Sequence, residues 1–325
     1  MLLAIGAILV GLALLIWSAD KFVDGATSIA LHLGVSTMII GITIVGFGTS
    51  APEILISVIA VIEDTPDIAI GNALGSNIAN ICLILGVTAL IAPLPIAKKV
   101  LGQEFPLLLI ATAVMTWCLV DAKLDISDGL LLIALLVVML GYLVRSHRQT
   151  PGEDWGEGEL TDDAVEEMTI LVAWGWVLSG LIILVGSSKL LVWGATEVAH
   201  AFGISELIIG LTIVALGTSL PELAASIASI KKAEPDLVIG NVVGSNLFNS
   251  LAVVGIPATI TSFSIDNLAV TRDLPVVIAI TLLLYALSYF PTASQGLSRL
   301  KGSWLLAGFV IYQLYLYYGV MAGNA

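Results

Sequence analysis

Two glutamates lie inside apolar runs behind the same short phrase, Gly48-Thr49-Ser50-Ala51-Pro52-Glu53 and Gly217-Thr218-Ser219-Leu220-Pro221-Glu222. A carboxylate at the centre of a bilayer is costly and marks a functional position by default. Pro52 and Pro221 cannot donate a backbone N–H to the carbonyl four residues back, so each phrase also frees main-chain oxygen. Irregular backbone at that depth persists only where protein or a wet cavity surrounds it. Helical spacing places Gly46, Ser50, Glu53 and Ser57 on one face, and Ala215, Ser219, Glu222 and Ser226 repeat it. Asn72, Ser76 and Asn80, each four apart, are matched by Asn241, Ser245 and Asn249. Carboxylate, hydroxyl, amide and carbonyl oxygens without a His or Cys cluster suit a hard cation, Ca²⁺ or Na⁺. No nucleophile with a base, and no metal-ligand cluster, argues for an intramembrane enzyme.

The elements that must position these groups are membrane helices. Of 325 residues, 58% are hydrophobic and 11% charged, against about 25% charged in soluble domains, which excludes a soluble enzyme. Ten apolar runs are long enough for roughly 30 Å of hydrocarbon, near 2–18, 36–60, 69–91, 105–120, 128–144, 170–188, 205–229, 238–261, 274–290 and 303–320. No Lys or Arg precedes the first run, so it is expected to stay as a helix and not be removed as a signal peptide. Cys82 and Cys118 are isolated within apolar runs and read as packing residues. Gly71 and Gly75, with Gly240 and Gly244, have the spacing of close helix packing. His32, His147 and His200 receive no role.

Net charge is −13, and eight acidic residues crowd Glu153 to Glu167, a solvated linker by composition. Counting Lys and Arg by alternate loops puts Lys21, Lys98, Lys99, Arg145, Arg148, Lys231, Lys232, Arg299 and Lys301 on one side, and Lys123, Lys189 and Arg272 on the other. The positive-inside rule makes the first side cytoplasmic and leaves both termini outside the cytoplasmic membrane.

Sliding the chain against itself exposes a repeat at an offset of 169 residues: Ser36 to Ile91 aligns without a gap on Ser205 to Ile260, with 25 of 56 positions identical. The recurring residues include Gly48, Thr49, Ser50, Pro52, Glu53, Asn72, Ser76, Asn77 and Asn80, which a narrow apolar alphabet does not produce. Five helices per unit is an odd number, so the second unit enters the membrane inverted. The expected fold is therefore all-α, ten transmembrane helices as two inverted five-helix repeats, residues 1–144 and 170–325, with the acidic linker 145–169 between them. Inverted repeats with interrupted helices are an architecture of secondary transporters, with the site near the midplane.

The paired GTSAPE and GTSLPE segments, each followed by GN(x)₂GSN(x)₂N, resemble the α-repeats of the Ca²⁺/cation antiporter superfamily, the sodium/calcium exchangers. The resemblance implies four central ion sites, with Glu53 and Glu222 as Ca²⁺ carboxylates shared with Na⁺. It places Thr49, Ser50 and Ser76 at one Na⁺ site and Thr218, Ser219 and Ser245 at its mirror image, with carbonyls of Gly46 and Ala215. Asn80 and Asn249 fall at the centre. Several family members carry Asp where this chain has Asn249, K⁺-dependent exchangers among them, so K⁺ dependence is not expected here. The large cytosolic regulatory domain of animal exchangers has no counterpart. The expected activity is Ca²⁺/Na⁺ antiport by alternating access, with Ca²⁺/H⁺ antiport and a cation channel as alternatives. Ca²⁺, Na⁺ and lipid are the expected partners, without a cofactor, nucleic acid or obligate protein partner.

Overall fold

Backbone amides in hydrocarbon have no water to pair with, so apolar runs satisfy themselves as helices. The computed structural model describes residues 1–146, 168–202, 215–290 and 296–321. Its helices are α1 (Leu2–Leu33), α2 (Thr37–Ile62), α3 (Pro66–Ile91), α4 (Lys98–Leu119), α5 (Ile126–Ser146), α6 (Ile170–Ala201), α7 (Leu220–Lys231), α8 (Pro235–Ile260), α9 (Ala269–Tyr289) and α10 (Arg299–Met321). All but α7 and α10 meet the length and hydropathy needed to cross a bilayer, eight spans among the described residues. Most of the acidic linker, and residues 205–214 of the seventh apolar run, lie outside the described residues.

Local chemistry repeats with the sequence. Pro66 and Pro235 open α3 and α8 at the first helical turn, where a missing N–H costs nothing. Two residues earlier, Asp64 and Ala233 both take φ 58°, the left-handed turn that ends the preceding helix. Widened π-helical segments interrupt α3 at Ala79–Ile84 and α8 at Asn249–Val253. Each contains the central asparagine of its repeat. A wider turn inside an α-helix re-aims side chains and frequently marks a functional position.

Three expectations change. The first and sixth runs are not short spans, because α1 and α6 each have 32 residues, about 48 Å at 1.5 Å per residue. Lys21 and Lys189, taken above as loop residues, therefore lie within helices. Pro52 does not break its helix either, since the segment Gly46–Ile62 runs straight through it. Its counterpart Pro221 sits in the first turn of α7, after a break at Thr218 and Ser219.

The two long helices pack antiparallel, and their contact maps onto itself under the repeat offset. A Cβ at Gly11 would meet Leu191 at 3.1 Å, and one at Gly180 would meet Phe22 at 3.0 Å. Likewise a Cβ at Gly25 would meet the Ala173 carbonyl at 2.7 Å, and one at Gly194 the Ala4 carbonyl at 2.7 Å. In each pair the partner of one glycine is 169 residues from the partner of the other. Of the two expected small-residue packing motifs, Gly240 and Gly244 approach the backbone of Met38 and Ile42, whereas a Cβ at Gly71 or Gly75 would meet nothing within 4 Å.

Contacts between connecting segments fall into two sets. Strand β1 (Leu94–Pro95) pairs with β4 (Gly296–Leu297), and Lys99 Nζ donates to the Ser146 carbonyl at 3.3 Å. Strand β2 (Lys123–Leu124) pairs with β3 (Phe263–Ser264), and the Asp266 amide donates to Asp67. The first set joins odd-numbered connections and the second joins even-numbered ones, as alternate crossings require.

The glycine contacts yield a stability test. Gly25→Val and Gly194→Val force a side chain into facing backbone and should each cost about 1–3 kcal/mol, read as a lowered melting midpoint in detergent. Gly6→Val and Gly186→Val, where a Cβ would meet nothing within 4 Å, should leave it unchanged. Equal effects at all four positions would contradict the packing.

Candidate ion-binding site

The centre of the molecule is polar and buried. Thr49, Ser50, Glu53, Ser57, Ser76, Asn77, Asn80, Ser219, Glu222, Ser226, Asn241, Ser245, Asn246, Asn249 and Ser250 are all buried. Glu53 and Glu222 are 1% and 2% exposed. A buried polar group is tolerated only when something pairs with it, so the partners decide what this centre is for.

Part of the set is fixed by hydrogen bonds that recur in both repeats. Asn72 Nδ2 donates to the Glu53 carbonyl at 3.1 Å and to Ser57 Oγ at 3.1 Å. Asn241 Nδ2 donates to the Glu222 carbonyl at 3.2 Å and to Ser226 Oγ at 3.0 Å. These asparagines tie the glutamate helix to the next one and set the height of each carboxylate. Other bonds cross between repeats. Thr49 Oγ1 lies 3.3 Å from Asn241 Oδ1 and 3.4 Å from Ser245 Oγ, and Ser245 Oγ reaches the Gly46 carbonyl at 3.5 Å. Asn77 Nδ2 donates to Ser250 Oγ at 3.2 Å, and Asn80 Nδ2 to Asn246 Oδ1 at 3.1 Å.

What remains unpaired at the centre is mostly oxygen, together with one amide nitrogen, Nδ2 of Asn246. Among the described residues, Ser50 Oγ, both carboxylate oxygens of Glu53, Oε2 of Glu222, and Oδ1 of Asn77, Asn80 and Asn249 are buried without a hydrogen-bond partner. Glu53 and Glu222 stand close enough to repel each other, and Thr49 lies within hydrogen-bonding reach of Glu222. None of the described ion pairs includes either glutamate. Two carboxyl groups beside neutral hydroxyl and amide oxygens in a low-dielectric centre are a donor set that suits a hard cation. No group of three His, Cys, Asp or Glu side chains is found among the described residues, so neutral oxygens must supply most of any coordination.

The expected residues do not all have equivalent surroundings. Thr49 is fully buried, while its counterpart Thr218 is partly exposed and lines a cavity with Pro52, Gly217 and Pro221. Ser219 occupies the N-cap position of α7 without a side-chain capping bond, and Ala215 belongs to the short helical turn Ala215–Gly217. Asn77, Asn246 and Ser250 were missing from the expected ligand set. Their signal was present: Asn77 and Asn246 are repeat-equivalent within the GSN triplets.

Comparison with known proteins agrees in extent as well as in motif. The family model described as sodium/calcium exchanger protein matches residues 3–145 and 172–318. The chain is 45% identical over 317 residues to a putative antiporter, CaxA, of Alkalimonas amylolytica, covering 98% of this chain and 99% of that one. It is 40% identical over 322 residues to the inner membrane protein YrbG of Escherichia coli K12, covering 98% of each. A solved structure of the sodium-calcium exchanger NCX_Mj superimposes with a TM-score of 0.81 at 31% identity, covering 96% of this chain and 97% of that one.

Glu53→Gln and Glu222→Gln should each weaken Ca²⁺ binding at least about thirtyfold, the cost of removing one charge from a buried hydrogen-bonded set. Both variants should remain folded, since each removes an uncompensated buried charge. Calorimetric Ca²⁺ titration beside thermal unfolding checks this. Unaltered Ca²⁺ affinity in either variant would contradict the site.

Proposed function

The chain belongs to the sodium/calcium exchanger protein family, and on that premise we propose that it exchanges Ca²⁺ for Na⁺ across the cytoplasmic membrane by alternating access. The observation that carries the proposal is the cluster of unpaired buried oxygens around Glu53 and Glu222. One Ca²⁺ or two Na⁺ neutralise the two carboxylates. Thr49, Ser50 and Ser76, and Thr218, Ser219 and Ser245, add hydroxyl ligands suited to Na⁺, with the carbonyls of Gly46 and Ala215 and the amide oxygens of Asn80 and Asn249. Either load leaves the centre uncharged, and a third Na⁺ would give a positive complex whose movement senses membrane potential.

The architecture proposed for this exchange is ten crossings in two inverted five-helix units, residues 1–144 and 170–325, joined by the linker 145–169. It is supported by the self-mapping contact of α1 with α6 and by the sorting of connections into two sets. Inversion makes the outward-open and inward-open forms near equivalents of each other. Both termini then lie outside, with Lys231 and Lys232 in the cytoplasm.

Protons could load the same carboxylates in place of Na⁺, so the counter-ion is decided by flux. Purified protein in liposomes should take up Ca²⁺ when a Na⁺ gradient is imposed and not under a pH gradient alone. Uptake driven by pH alone would make the protein a Ca²⁺/H⁺ exchanger, and uptake without either gradient at channel rates would end the antiport reading. A cysteine at Lys231 should react only from the cytoplasm and one at Asp64 only from outside. Reaction of both from one side would contradict the inverted topology.

A further inference from the structure

Lys232, just beyond α7, lies 2.7 Å from Asp20 and 2.6 Å from Asp24 of α1, and Lys21 joins Asp24 at 3.3 Å. Partial burial works against the Lys232 charge, but the two carboxylates outweigh it and hold the ammonium above the ordinary lysine value. Under the 169-residue offset, Asp20 corresponds to Lys189 and Lys232 to Glu63. The same two positions therefore recur on the opposite face with their charges exchanged.

There the pair is not made. Glu63 and Lys189 are both exposed, and Lys189 lines a cavity of ≈ 350 Å³ between α2, α6 and α7, together with Ser188, Val192, Thr196 and Thr218. Val192, Thr196 and Thr218 are partly exposed there, whereas their counterparts on the Lys232 face, Val23, Thr27 and Thr49, are buried. Helix α1 packs against α7 more extensively than α6 packs against α2. The molecule is closed where the ion pair is made and open where it is not. Asp20 and Lys189 both ride on the close-packed α1–α6 pair, while Lys232 and Glu63 both stand at the ends of the helices that carry the site glutamates.

We propose that Asp20–Lys232 and Glu63–Lys189 are alternating latches that position the α1–α6 pair in the two states of the exchange cycle. The assignment rests on the alternating-access reading above. In the state described, Lys232 holds α1 against α7. In the opposite state α6 closes on α2, the cavity disappears, and Lys189 meets Glu63 as Lys232 leaves Asp20. A partly exposed ion pair biases an equilibrium by about 1.5- to 5-fold. Two pairs of similar strength therefore nearly cancel, leaving ion occupancy to decide the population.

The test reads the state without ion flux. In purified protein carrying Cys82→Ala and Cys118→Ala, Thr196→Cys places a thiol in the cavity, and its rate of maleimide labelling reports how open that face is. Lys232→Ala should slow labelling by about 1.2- to 3-fold, the loss of open population when a pair worth about 1.5- to 5-fold is removed from near-equal states, as should Asp20→Asn combined with Asp24→Asn, which breaks the same latch from the other side. Adding Lys189→Ala to Lys232→Ala removes both latches and should return the wild-type rate. Adding instead the exchange Glu63→Lys with Lys189→Glu rebuilds the second latch and should keep labelling slow. Unchanged labelling on breaking the first latch, or slow labelling that persists with Lys189→Ala, would overturn the proposal. Latch-dependent labelling in a protein that shows no Na⁺-driven Ca²⁺ flux would count against the ion assignment alone.

Discussion

Glu53 and Glu222 bring two negative charges into a region where water cannot solvate them, and none of the described ion pairs neutralises either one. Such a centre is stable only while something positive occupies it, because mutual repulsion and desolvation both act against the empty charged form. The same property that makes the site costly makes it selective. On the proposed reading a load of about two positive charges satisfies it, and the unpaired oxygens of Ser50, Asn77, Asn80 and Asn249 would replace the hydration shell that the load must shed.

The rest of the fold keeps those oxygens at fixed height. Asn72 and Asn241 use their amide N–H groups on main-chain carbonyls of Glu53 and Glu222 and on Ser57 and Ser226, not on the carboxylates. The π-helical segments of α3 and α8 turn Asn80 and Asn249 toward the same centre. Close backbone approach at Gly240 and Gly244 brings α8 onto α2 and lets Thr49 and Ser245 meet across the repeats. Positioning comes from helix packing and paired amides, and charge is left to the cargo.

Much of this was legible in the sequence because the chain states it twice. The duplicated GTS-x-PE and GN(x)₂GSN(x)₂N segments named the glutamates, their polar faces and the unit of repetition. Helix ends were less legible. Asp20, Lys21 and Asp24 interrupt the hydropathy of the first run, yet α1 continues past them because Lys232 pairs with the two carboxylates from another helix. The two proline phrases also diverge in form: α2 runs through Pro52, while α7 begins at Pro221. Identical local chemistry is resolved differently by different neighbours. The cross-repeat bonds of Asn77 with Ser250 and Asn80 with Asn246 depend on which helices face each other, which spacing along one helix does not reveal.

The proposed exchange requires one cation held between Glu53 and Glu222. Diffraction from crystals soaked in Sr²⁺, which scatters anomalously and stands in for Ca²⁺, locates the ion directly. The account predicts one dominant anomalous peak between the two carboxylates, with oxygen ligands at roughly the 2.3–2.6 Å distances of a hard divalent ion. That peak should vanish in Glu53→Gln. A dominant peak elsewhere, or one between these helices that survives the substitution unchanged, would contradict the account.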